Sequence, residues 1–134
     1  MILVDTNVWS VATRAQPDAH VVDWLGNHKD LLWLSPVVIA EIRYGYELLE
    51  PCVKREILIG WLAGLEDEYR ERTLSFDADA GHALGRLLLQ KPQEAKLLDT
   101  LLAAQALSRD CPIATRNVKD FEWAGTKVIN PWEQ

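Results

Sequence analysis

Cysteine is scarce in this chain of 134 residues: only Cys52 and Cys111 occur. Two cysteines so far apart make no disulfide framework, and they lack the close spacing of a zinc motif. Histidine is as sparse, with His20, His28 and His82 isolated and none at metal-ligand spacing. No apolar run approaches the ~20 residues that cross a bilayer. The opening Met1-Ile2-Leu3-Val4-Asp5 has no basic stretch and meets an acid after three apolar residues, so no secretory signal is expected. A reducing, cytoplasmic setting is the simplest expectation. Positive charge is also short: 14 Lys+Arg face 20 Asp+Glu, a net charge of −6. Domains that hold nucleic acid by electrostatics alone are usually basic, so the balance argues against one here.

Hydrophobic residues make up 49% of the chain, enough for a packed core. The length suits one domain spanning 1–134. Ile2-Leu3-Val4 is a continuous apolar run, the pattern of a strand buried on both faces. Leu31–Leu34 reads as a second strand, Leu74-Ser75-Phe76 as a short third, and Pro112–Thr115 and Lys127–Ile129 as two more. Helical patterning covers Val8–Arg14, a stretch capped by Asp18, Pro36 to about Leu49, Val53 to about Tyr69, Ala78–Gln90, Glu94–Arg109 and Val118–Trp123. Ser35-Pro36 is an N-cap followed by an N1 proline, and Asp77 is another candidate cap. Strands alternating with helices predict a three-layer α/β domain with a mainly parallel sheet.

The chemistry is in the acids. Asp5 ends the first buried strand, where open α/β sheets bind ligands. It is also a candidate helix cap, a duty that Thr6 or Asn7 could take over. Glu41 shares a helix stripe with Val37, Tyr44 and Leu48. A carboxylate in such company is paired, protonated or metal-bound if buried; a surface ion pair with Arg43 or Arg55 is the structural alternative. Asp99 is the one charge between Leu97 and Leu107, in a helix otherwise suited to packing on the sheet. Asn117 and Asp120 follow another short strand, and either could instead cap the short helix after it. Acids that end strands and acids on neighbouring helices can share one sheet edge. Clustered carboxylates repel one another unless a cation intervenes, and oxygen-only ligands suit Mg²⁺ or Mn²⁺. A hard ion held by acids points to phosphoryl chemistry.

On five segments the sequence resembles the PIN-domain ribonucleases, in particular the VapC/FitB-like toxins of toxin–antitoxin pairs. These are Met1–Val8, Leu34–Gly45, Asp99–Ala106, Thr115–Phe121 and Val128–Trp132, in order along the chain. The resemblance implies a PIN-like α/β/α sandwich and a Mg²⁺- or Mn²⁺-dependent endoribonuclease. Asp5, Glu41 and Asp99 fall on the family's regular acidic positions, with Thr6 or Asn7 assisting. Asn117 stands where many relatives carry Asp, so Asn117 or Asp120 would complete the site. Asp5 and Asp99 would hold the metal, and Glu41 would orient or deprotonate the attacking water. A small cognate antitoxin is implied as inhibitor, with Tyr44, Tyr46, Leu48, Leu49, Ile57, Leu58 and Trp61 offering either a groove for it or core. A homodimer or higher toxin–antitoxin assembly is also implied, and RNA is the implied substrate.

Three other classes compete. A two-component receiver domain would want adjacent acids after the first strand, where this chain has Asp5 alone. A haloacid-dehalogenase-like phosphatase would want Asp where Asn7 stands. A non-catalytic PIN-fold protein that only binds a partner is the alternative nearest the residues. The net charge of −6 is itself reassigned by the acidic pocket. A bound ion inverts the local field, and Arg43, Arg116 or Lys119 would meet phosphate.

Overall fold

The computed structural model describes residues 1–134. Four short strands form one all-parallel sheet in the order β2-β1-β3-β4: β1 Ile2–Val4, β2 Leu32–Trp33, β3 Ile113–Ala114 and β4 Val128–Ile129. Leu3 stands opposite Trp33 on one side and Ile113 on the other. All of β1 is buried, which requires cover on both faces, and seven helices supply it. They are α1 Thr6–Trp9, α2 Ala19–Asn27, α3 Pro36–Glu47, α4 Val53–Glu68, α5 Ala78–Gln90, α6 Leu97–Ser108 and α7 Lys119–Glu122. None is long and apolar enough to cross a membrane. The result is the α/β/α arrangement expected from the alternation of strand and helix patterns.

Strand order decides where a ligand can sit. From β1 the chain builds outward to β2 on one side, then crosses to β3 and β4 on the other. The loops leaving β1 and β3 therefore diverge at the centre of the sheet, and a crevice opens between them. Asp5 leaves β1 there, and Thr115 to Asn117 leave β3 beside it.

Local signals set the helix ends. Asp18 caps α2, accepting from the backbone N–H of His20 at 2.9 Å and of Val21 at 3.3 Å. The Ser35 hydroxyl accepts from the Val37 N–H at 3.1 Å, with Pro36 at the first position of α3. Asp77 caps α5 by accepting from the Ala80 N–H at 3.0 Å, and it also pairs with Arg109 at 3.3 Å. Asp77→Ala should lower stability by about 1 kcal/mol, because the ion pair is half-exposed and the lost cap dominates. Urea denaturation reads this directly, and an unchanged midpoint would contradict the capping role.

Several expectations fail for physical reasons. Val8–Arg14 is not one α-helix: α1 begins at Thr6, and a 3₁₀ segment follows at Ser10–Thr13. Leu74-Ser75-Phe76 is not a strand. A single parallel bridge joins Leu34 to Thr73, and Leu74 N–H donates to the Leu34 carbonyl at 2.8 Å. Pairing stops there because Ser35-Pro36 already opens α3, and proline has no N–H for a ladder. The segment is held from below instead. Gln105, fully buried on α6, donates to the Leu74 carbonyl at 2.8 Å and accepts from the Ser35 hydroxyl. Helix α6 starts at Leu97 and not at Glu94, with Lys96 extended at its N-cap.

Candidate metal centre

Asp5 is 4% exposed and is itself the N-cap of α1, so neither Thr6 nor Asn7 takes over that duty. Its Oδ1 accepts from the Thr6 N–H at 2.8 Å. Its Oδ2 accepts from the Thr115 hydroxyl at 2.8 Å and the Asn7 amide at 3.2 Å. A carboxylate oxygen carries two lone pairs, so Oδ1 keeps one for a further partner. Asn7 also accepts from the Arg116 N–H at 3.1 Å, latching the β1 and β3 loops together. Asn7 and Thr115 are thus positioning groups for Asp5.

Glu41 is half-buried on α3, and its Oε1 accepts from the Thr6 hydroxyl at 3.1 Å. The surface ion pair considered for it does not form, because Arg43 and Arg55 both turn to Glu47, at 3.9 and 3.6 Å. Asp99 is half-buried in the first turn of α6, where the helix dipole favours an acid. One ligand oxygen from each of Asp5, Glu41 and Asp99 lies within 4.8 Å of the other two. These three acids come from three separate elements.

Asn117 and Asp120 face the same pocket, of about 270 Å³, with Lys96 on its wall. Neither caps α7. The helix starts at Lys119, so Asp120 already lies within it, and its N-cap Val118 makes no side-chain bond. The Asn117 N–H donates to the Thr115 hydroxyl at 3.0 Å, which extends the network around Asp5. Arg43 is held by Glu47 and Arg116 lies over the Trp132 ring at 5.0 Å, so of the three cations expected near phosphate Lys119 alone borders the acids. Lys96 is the cation that the sequence reading missed. It stands at the N-cap of α6, three residues before Asp99, and lines the same pocket.

The electrostatics is that of crowded acids. Asp99 is pushed up to about 6, first by burial, then by Asp5 and Asp120, with Lys96 opposing. Glu41 is raised by burial and by Asp5 and Asp99, against the Thr6 hydrogen bond and Lys96. Asp5 is raised by burial, which its hydrogen bonds from Thr115 and Thr6 only partly offset. A cation among the three removes the repulsion that raises them. The donors fit a hard ion: all are oxygens, with no His or Cys on the pocket wall. Oxygens on one octahedral ion sit about 3–4 Å apart, so a small carboxylate rotation closes the cluster onto it.

A family model described as PIN domain matches residues 2–124. The chain belongs to the PIN domain family. Its PIN fold is shared end to end with named relatives. Plasmid stability protein StbB of Pseudomonas syringae pv. tomato is 38% identical, with 99% of each chain covered. VapC ribonuclease Y4jK of Sinorhizobium fredii is 35% identical, again over 99% of each. Toxin FitB of Neisseria gonorrhoeae is 32% identical over 98% of this chain and 99% of its own. The crystal structure of FitAcB from that organism superimposes with a TM-score of 0.87 at 32% identity, covering 100% of both chains. The acid cluster of this PIN domain therefore sits in a scaffold common to proteins named ribonuclease and toxin.

Proposed function

We propose that the protein is a metal-dependent endoribonuclease and the toxin of a bacterial toxin–antitoxin pair, with Asp5, Glu41, Asp99 and the Asn117–Asp120 loop as its site. The observation that carries this reading is the convergence of three raised acids from three elements on one crevice of a PIN domain. A receiver domain or a phosphatase of the haloacid-dehalogenase kind has no counterpart in this match. The names VapC ribonuclease and toxin, borne by relatives aligned over nearly their whole length, support the activity and the role.

In this reading Asp5 and Asp99 bind Mg²⁺ or Mn²⁺, and Asp120 or Asn117 completes the oxygen set. When bound, the ion supplies Lewis acidity at the phosphodiester and acidifies a water. Asp5, held in place by Thr6, Asn7 and Thr115, would offer the ion its carboxylate. Glu41, oriented by the Thr6 hydroxyl, takes the proton of the attacking water. Burial and the neighbouring acids raise its proton affinity, the direction a general base needs. Lys96, at the rim, meets phosphate charge.

The reading extends to an antitoxin seated on α3 and α4. Tyr44, Leu48 and Ile57 are exposed there, with Val53 beside them, while Tyr46 is core and Leu49, Leu58 and Trp61 are half-buried. A cytoplasmic location and pairing into dimers belong to the same proposal.

The test is cleavage of a labelled RNA by purified protein with Mn²⁺ or Mg²⁺, against a chelator control. Cleavage that survives the chelator would overturn the metal-dependent reading, and no cleavage with either ion would favour the non-catalytic alternative. The pH dependence is expected from Asp99. Its proton competes with the ion, so apparent Mn²⁺ affinity should fall about tenfold between pH 7 and pH 5. Calorimetric titration at the two pH values measures it, and equal affinities would remove Asp99 from the ligand set.

A further inference from the structure

Beside the acid pocket lies a second cavity of about 170 Å³. It shares Lys96, Asp99 and Asp120 with the first, so the two are continuous along α6 and α7. Its other side chains include Lys119, Trp123 and Glu94. Cavities that hold drug-sized ligands start near ~300 Å³, so this one suits a single planar ring system. The half-buried Trp123 indole is locked, its N–H donating to the Asp120 carbonyl at 3.0 Å. Neither lysine is spent on a carboxylate: the ion pairs of the protein involve Lys29, Lys127 and four arginines. A fixed aromatic surface flanked by free ammonium groups is what a nucleotide requires, since every base has a face to stack and every nucleotide a phosphate.

We propose that Trp123, Lys96 and Lys119 form a nucleotide subsite, in which the base next to the scissile phosphate stacks on Trp123 and its phosphate lies between the two lysines. The placement beside the reacting bond rests on the ribonuclease reading; the nucleotide site itself does not. The subsite also answers how an acidic protein holds RNA: two lysines and a ring act locally where the overall charge repels.

The test is a titration of the full chain, ¹⁵N-labelled at tryptophan and kept in chelator, with AMP, GMP, CMP, UMP and inorganic phosphate. The Trp123 indole signal is assigned by its loss in Trp123→Phe. It should shift saturably with all four nucleotides and not with phosphate alone. The double variant Lys96→Ala/Lys119→Ala should weaken AMP binding about tenfold. An unmoved indole signal, or unchanged AMP affinity in the double variant, overturns the subsite. Where wild type cleaves RNA, Trp123→Ala should raise KM about tenfold with kcat within about twofold, and Trp123→Tyr should restore KM. A loss confined to kcat overturns the stacking role. A wild type that binds AMP but cuts no RNA refutes the nuclease reading and leaves the nucleotide site standing.

Discussion

Asp5→Asn should lower RNA cleavage by at least about a thousandfold while leaving the protein folded. The first half follows from the place of Asp5 on the sheet. It is the deepest of the three acids, and its carboxylate is fixed by donors from α1 and the β3 loop. An amide keeps the shape but loses the charge, and one of its two ends becomes a donor. Placed toward Thr115 and Asn7, that end faces the Asn7 amide, also a donor; placed toward Thr6, it faces a backbone N–H. Either way a hydrogen bond is lost, at a cost of about 1 kcal/mol. Opposing that loss, a buried and crowded negative charge disappears, and burial is the main cause of the raised proton affinity of Asp5. The two effects are of similar size, so the melting temperature should move by only a few degrees. Initial rates on a fluorescent RNA together with thermal melts check both halves. A variant within about tenfold of wild-type rate would sink the assignment. Should Asp5→Asn fold poorly, Asp99→Ala on the half-exposed start of α6 tests the same cluster without touching the Asp5 network.

The parts of this site that were legible in the sequence are those with an incongruous residue. Asp99 interrupts an apolar helix, Asp5 interrupts a buried strand, and the need to bury strands next to one another brings their ends together. The helix caps were legible because Asp18, Ser35 and Asp77 each stand one residue before a helical pattern. What was hidden depends on pairing across long separations. Nothing local marks Thr115 as the hydroxyl that holds Asp5, because it stands in an ordinary turn sequence 110 residues away. Gln105 reads as a surface residue in an Ala-rich helix, yet it is fully buried and satisfies Ser35 and Leu74 at once. The apolar Leu74-Ser75-Phe76 looks like a strand because its residues favour one. Whether it becomes one depends on a neighbour, and Pro36 withdraws that neighbour.

Asp99→Asn should make the metal-free protein more stable and remove the stabilisation that metal confers. Asp99 titrates at about 6 in the folded chain against 3.8 for an ordinary aspartate. The folded state therefore holds a proton across that interval that the unfolded state has released. Stability falls as pH rises through the interval, and above about pH 6 the ionised Asp99 is a full cost to the metal-free fold. A shift of two units corresponds to at most ~3 kcal/mol, and solvent screening at a half-buried site reduces this to about 1–2 kcal/mol. The α6 dipole opposes the gain, since it favours an acid in the first turn, but by only ~0.3–1 kcal/mol. The variant should accordingly melt a few degrees higher than wild type in chelator at neutral pH, and the difference should vanish near pH 4, where Asp99 is protonated. Mn²⁺ at a hundredfold excess over its Kd should stabilise wild type by about 2.7 kcal/mol. The variant, short of one ligand and one negative charge, should gain little, so the order of the two melting temperatures reverses. Melts in chelator and in Mn²⁺ read both signs in one experiment. A variant that is less stable in chelator would show that Asp99 serves the helix more than the pocket. Equal gains from Mn²⁺ would show that the ion binds elsewhere. The reversal is what separates a carboxylate kept for a cation from one kept for the fold, because only the former is a burden until the cation arrives.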